Sequence, residues 1–198
     1  MPHGMEDRIT DRKGIILSKA KDLFWKHGFR RVSVEEICKK SGISKMTFYR
    51  YFPNKIEVAK AVFDKVSREG YVQFQSILNE INTPEEKIRK ILLLKFNGTH
   101  DISQEFLMDF YSSREPGLAG YVQTRLNEIW MNLINDFKNA QQKGIFRQDI
   151  RIEFFFSASQ KIIELLNDQK ILQLFDTPQE MIMESAKLLM YGISPQKQ

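Results

Sequence analysis

The sequence has 198 residues, a net charge of +5, 42% hydrophobic and 28% charged residues, and one cysteine. This is an ordinary globular composition, long enough for a small domain fused to a larger one. No apolar run reaches the roughly 18 residues of a membrane helix, the start at Met1–Met5 lacks the apolar core of an export signal, and the lone Cys38 excludes an internal disulfide and suits a reducing cytoplasm.

Charge divides the chain unevenly. Residues 1–55 hold thirteen Lys and Arg against six Asp and Glu, or +7; residues 56–198 hold seventeen against nineteen, or −2. A basic first quarter on a slightly acidic remainder places contact with a polyanion in residues 1–55, and a second domain of different character in 56–198.

Nearly every segment carries a helical period, so an all-α protein is expected. The first helix runs from near Asp11 to Gly28, with Ile16, Ala20, Leu23 and Phe24 as its apolar stripe. Ser33, with Glu36 three residues on, opens a short helix whose inner face is Val34, Ile37 and Cys38. Ser44 caps a second short helix, Lys45 to Phe52, which Pro53 ends. Asn54 and Glu57 start a long helix that continues past Gly70, where a kink is the expected cost of glycine. Thr83-Pro84-Glu85-Glu86 is a compact helix start, and that helix closes at Asn97-Gly98. Ser103–Ser113 reads as a short aromatic-rich helix stopped by Pro116-Gly117. Leu118–Lys143 is the most regular stripe, ended by Gly144. Two helices come last, Ile150 to Asp168 and Pro178 to Tyr191.

The two short helices, Val34–Ser41 and Lys45–Phe52, have the proportions of a helix-turn-helix. Between them, Gly42 makes the corner, Ile43 plugs it and Ser44 caps the second helix. Phe48 and Phe52, four apart, face inward, so Lys45, Met46 and Tyr49 project outward, with Arg50 nearer the edge. A short helix bearing Lys, Thr, Arg and two Tyr in a basic domain suits a DNA major groove.

From Ile15 to Val58 the sequence resembles the DNA-binding domain of the TetR family of bacterial repressors. The resemblance lies in Ala20, Phe24, Gly28-Phe29, Ser33-Val34, Ile37, Ser41-Gly42-Ile43-Ser44-Lys45 and Thr47-Phe48-Tyr49-Arg50-Tyr51-Phe52-Pro53-Asn54-Lys55. It implies an N-terminal three-helix DNA-binding domain and a larger helical domain that dimerises and encloses an inducer pocket. It also implies DNA-contacting roles for Ser33, Ser44, Lys45, Met46, Thr47, Tyr49, Tyr51 and Lys55. Ser33, Ser44, Tyr49, Tyr51 and Lys55 would hold phosphates, and Lys45, Met46 and Thr47 would read base edges. Many family members carry glycine where this chain has Met46, whose apolar tip suits a thymine methyl.

The implied partners are double-stranded operator DNA, a second copy of the chain and a small-molecule effector, with no membrane. Phe106, Phe110, Tyr111, Trp130 and Phe137 cluster on neighbouring helices of the larger domain and are candidates to line an apolar or aromatic ligand site. The last two long helices are apolar on more than one side, and the second side is expected to bury on a second copy, the alternative being a single thick core. Phe155, Ile162 and Leu166, with Ile182 and Leu189, are the candidate interface residues of a four-helix bundle about a two-fold axis. The competing reading is a helical adaptor that binds a protein or lipid without reading DNA sequence. His3, His27 and His100 share no metal-ligand spacing, and no phosphate loop, nucleophile elbow or His-Glu-x-x-His occurs; neither metal, cofactor nor enzymatic activity is expected. Cys38 is expected in the core.

Overall fold

The computed structural model describes residues 3–111, 116–165 and 168–195. Among them are ten helices and no strand: α1 (His3–His27), α2 (Val34–Ser41), α3 (Lys45–Tyr51), α4 (Lys55–Asn79), α5 (Pro84–Gly98), α6 (Gln104–Tyr111), α7 (Pro116–Gln142), α8 (Ile152–Glu164), α9 (Gln169–Leu172) and α10 (Pro178–Gly192). None is long and apolar enough to cross a membrane.

Several boundaries differ from expectation, each for a local reason. α1 begins at His3 rather than near Asp11; nothing between residues 3 and 10 is a strong breaker. Pro116 and Gly117 do not stop α6 but form the first turn of α7, where proline's missing N–H costs nothing. α4 stays helical through Gly70 to Asn79. α8 starts at Ile152 rather than Ile150, because the Gln141 side-chain amide donates to the carbonyls of Arg147 (2.7 Å) and Ile150 (2.8 Å) and holds that stretch as a turn. The short α9, capped by Asp168, was not expected.

The chain forms two compact units, 1–66 with 103–122, and 67–102 with 123–198. Packing thus groups α6 and the start of α7 with the N-terminal helices, a different division from one drawn by charge. In the first unit the core is Ile16, Ala20 and Phe24 of α1, Phe29 and Val32 of the connection, Ile37 of α2, Phe48 of α3, and Val58, Ala59 and Val62 of α4. Gly28 turns the chain at φ +77°, its N–H bonded to the Phe24 carbonyl at 2.9 Å. Two main-chain contacts then fix the connection to α6: Arg30 N–H donates to the Asp109 carboxylate (2.8 Å) and Ser103 N–H to the Trp25 carbonyl (2.8 Å).

The second unit is built on aromatic side chains. Phe137 of α7 stacks on Phe74, Phe146 and Phe155, and meets Phe156 edge-on. Ile88 and Leu92 of α5 and Met190 of α10 complete the buried cluster. Arg147 N–H donates to the Ile193 carbonyl at 2.9 Å, fastening the end of α10. Tyr71 donates to Asp136 (2.7 Å) and accepts from Gln75 (2.9 Å); burial, then that bond, push its phenol up to about 12.

Candidate nucleic-acid interface

α2 starts where the sequence places it. The Ser33 hydroxyl accepts from Glu36 N–H (3.2 Å) while the Glu36 carboxylate accepts from Ser33 N–H (2.7 Å), a reciprocal cap. α2 ends at Gly42, left-handed at φ 65°, where a side chain would be strained, and Ile43 N–H returns to the Cys38 carbonyl (3.1 Å). Ser44 then caps α3, accepting from Thr47 N–H (3.1 Å) and bonding its hydroxyl (3.0 Å). Helix, corner and helix are thus set by contacts spanning three to five residues.

Phe48 and Phe52 are buried, so α3 has one possible orientation. Its outer face carries Lys45, Met46, Tyr49 and Arg50, with Met46 79% exposed. Of the predicted DNA-contacting residues, Ser44, Lys45, Met46, Thr47 and Tyr49 therefore lie together along or beside this face. Ser33 lies at the neighbouring helix start, its hydroxyl also donating to Glu36 (2.9 Å).

Two predicted residues are not turned to solvent with free polar groups. The Lys55 ammonium donates to the carbonyls of Phe29 (2.8 Å) and Val32 (2.7 Å) and sits 4.3 Å from the Phe29 ring centre. It braces the connection between α1 and α2. Tyr51 is half-buried, and its hydroxyl reaches neither a hydrogen-bond partner nor solvent; a buried, unpaired hydroxyl costs about 1–3 kcal/mol.

Sequence reading missed Glu35. Its carboxylate pairs with the Lys45 ammonium across the corner, both side chains exposed. The hydrogen bond from Lys45 holds the Glu35 carboxyl below the usual carboxylate value and raises the Lys45 ammonium in return. No periodicity relates positions ten apart on different helices, and only the helix-turn-helix geometry itself would have signalled the pair. Cys38 is buried, which pushes its thiol up.

The candidate ligand residues are divided between the two units. Phe106 belongs to the first unit, where its ring lies 4.3 Å from Trp25. Trp130 and Phe137 belong to the second, both against Phe156 (5.2 and 5.1 Å). The side chains of Phe110 and Tyr111, and all of Leu166, lie outside the described residues. A groove of about 120 Å³ beside Gln75, Asp136 and Lys143 is smaller than the roughly 300 Å³ that small-molecule sites begin at. Of the candidate interface residues, Ile182 is buried and Phe155 packs on Phe137, whereas Ile162 and Leu189 stay half-buried. The apolar side chains left open are Phe154 (71%) on α8 and Leu188 (66%) and Tyr191 (63%) on α10. Among the described residues no group of His, Cys, Asp and Glu is placed to hold a metal ion.

An all-α protein with a helix-turn-helix in a basic N-terminal region, whose second helix turns Lys45, Met46, Tyr49 and Arg50 outward, is a DNA-binding regulator by class. Residues 16–62 match the sequence profile of the bacterial regulatory proteins of the tetR family. The transcriptional regulator UidR of Escherichia coli K12 is 24% identical over 152 residues, 76% of each chain. The uncharacterised regulator YdgC of Bacillus subtilis is 24% identical over 195 residues, 96% of this chain and 97% of its own. The structure of the fatty acid degradation regulator FadR from Bacillus halodurans superposes with a TM-score of 0.65 at 19% identity, covering 91% of this chain and 95% of that one. Residues 16–62 are thus a helix-turn-helix domain of the tetR family, and the relatives that align along most of the chain are transcriptional regulators, so the adaptor reading is not favoured.

Proposed function

We propose that this chain is a homodimeric repressor that binds a palindromic operator, with its affinity for that site set by a small apolar or aromatic effector. The observation that carries the reading is the outer face of α3, where Lys45, Met46, Tyr49 and Arg50 are exposed while Phe48 and Phe52 anchor the helix. Residues 1–55 serve as the DNA-binding domain and 56–198 as the effector-binding and dimerisation domain. Lys45, Met46 and Thr47 read base edges; Ser33, Ser44, Tyr49, Tyr51 and Lys55 hold phosphates. For Lys55 this requires exchanging the carbonyl contacts described above, and for Tyr51 it requires bringing its buried hydroxyl to the surface.

Dimerisation uses α8 and α10, which pair with their symmetry mates in a four-helix bundle. Phe155, Ile162, Ile182 and Leu189 mark those helices, Leu166 is the further candidate of the interface, and the open side chains Phe154, Leu188 and Tyr191 extend the apolar surface. A bacterial regulator of this kind works in the cytoplasm, where the chromosome lies. Selection of bound sequences from a random DNA pool tests the reading. Two half-sites one helical turn apart, about 34–36 Å, are expected, preferred over random DNA by at least about a thousandfold. Sequence-blind binding would overturn it.

A further inference from the structure

Between Ser33 and Phe52 the helix-turn-helix carries two carboxylates, Glu35 and Glu36. They are neighbours with different tasks. Glu36 caps α2, accepting from the Ser33 N–H (2.7 Å) and hydroxyl (2.9 Å). Glu35 has no part in that cap. It reaches across the corner to Lys45, the first residue of α3, and the two side chains stay 60% and 56% exposed, respectively. An ion pair so open to water adds little to stability. A carboxylate in the first turn of a helix favours its dipole wherever it points, so the start of α2 does not explain the reach toward Lys45 either.

The same carboxylate works against DNA binding in general, because beside the outer face of α3 it repels the phosphates of any bound sequence. Only a donor on the DNA offsets that repulsion, and in the major groove the donors are base amino groups. Lys45 narrows the choice. An ammonium has three N–H donors and no acceptor, and a carboxylate has acceptors alone. With one contact spent on each other, Lys45 keeps two donors and Glu35 keeps acceptors directly beside them. A G·C pair offers the complement along its major-groove edge: two acceptors, guanine N7 and O6, then one donor, cytosine N4. An A·T pair alternates acceptor, donor and acceptor, so thymine O4 would meet the carboxylate. A C·G pair would turn the guanine acceptors to the carboxylate and the amino donor to the ammonium.

We propose that Glu35 and Lys45 act as one reading unit that selects a G·C pair in each operator half-site, Lys45 donating to guanine and Glu35 accepting from cytosine. The inference rests on the base-reading role given to Lys45 above and adds Glu35 as a specificity-determining residue. Glu35 weakens binding to all DNA and returns part of that loss at one base pair, so it exchanges affinity for selectivity.

Selection from a random DNA pool, followed by competition titrations, tests this on the full-length wild type, Glu35→Ala, Lys45→Ala and the double variant. The wild type should show one position per half-site that takes G·C over the other pairs by about 5- to 150-fold. Glu35→Ala should reduce that preference by about fivefold or more and leave the preferences at other positions unchanged. In the same variant, affinity for random DNA should rise by more than affinity for the operator. Lys45→Ala should relax the same base pair, and the double variant should lose less than the two single losses combined, as coupled residues do. An unchanged preference in Glu35→Ala, a preference relaxed at every position alike, or selection of a pair other than G·C at the affected position overturns the reading unit while the repressor reading stands. A wild type that selects no sequence overturns both.

Discussion

The corner between α2 and α3 and the core of the second unit are assembled by opposite means. In the corner, every determining contact is short in sequence: Ser33 with Glu36, Ile43 with Cys38, Ser44 with Thr47. In the second unit the fastenings span much of the chain, as in Phe74 on Phe137, Gln179 on the Phe96 carbonyl, and Arg147 on the Ile193 carbonyl. A surface that must present a fixed set of side chains to DNA is best held by local rules, which survive changes elsewhere. An interior shaped to a ligand is held by distant pairs, each free to vary with the ligand. Relatives that share the first and differ in the second are the expected outcome of that arrangement.

Within the first unit the largest loss of stability is expected at Gly28, outside the corner, where the fastening is itself long-range. A Cβ there would stand 2.8 Å from an Asp109 carboxylate oxygen and 2.9 Å from Glu105 Cβ, at φ +77°. Left-handed strain and overpacking together predict about 2–4 kcal/mol of destabilisation for Gly28→Ala, read by urea denaturation; a stability within error of wild type would show that its bonds do not make the connection a fixed element. Next comes Lys55→Met, which removes charge-assisted bonds to the Phe29 and Val32 carbonyls and should destabilise by about 1–3 kcal/mol. The same variant sharpens the assignment of the phosphate contacts. If Lys55 also meets DNA, the salt slope of operator binding falls by about 0.9; if it only braces the connection, affinity falls at unchanged slope. The smallest effect belongs to Glu35→Gln. Releasing Lys45 from an exposed ion pair should raise operator affinity by about two- to fivefold, measured at low salt; an unchanged or weaker affinity would mean that Glu35 orients Lys45 usefully.

Legibility in the sequence respects the same divide. Ser33 with Glu36 and Thr83 with Glu86 announce helix starts because cap and partner lie within one turn, and both are found as expected. Phe48 and Phe52 set the exposed face of α3 by spacing alone. Periodicity also marks α5, α7 and α10 as helices. It cannot say that Phe106 joins Trp25 in one unit while Trp130 joins Phe156 in another, because a stripe shows which face is inward but not what it meets. For the same reason apolar faces on α8 and α10 are legible, whereas Ile182 as a core residue and Leu188 as an open one are not.

Cys38 gives the molecule a built-in clock. It is the single thiol of the chain, buried on α2 beside the corner and shifted away from the reactive thiolate form. A thiol reagent can reach it only when α2 lifts from α1 and α3, so its modification tracks the frequency of that opening. With reagent in excess and closing fast, the observed rate gives the equilibrium between open and closed corner; with closing slow, it gives the opening rate itself. Adding operator would slow the same reaction, converting DNA occupancy into seconds without any label introduced into the protein.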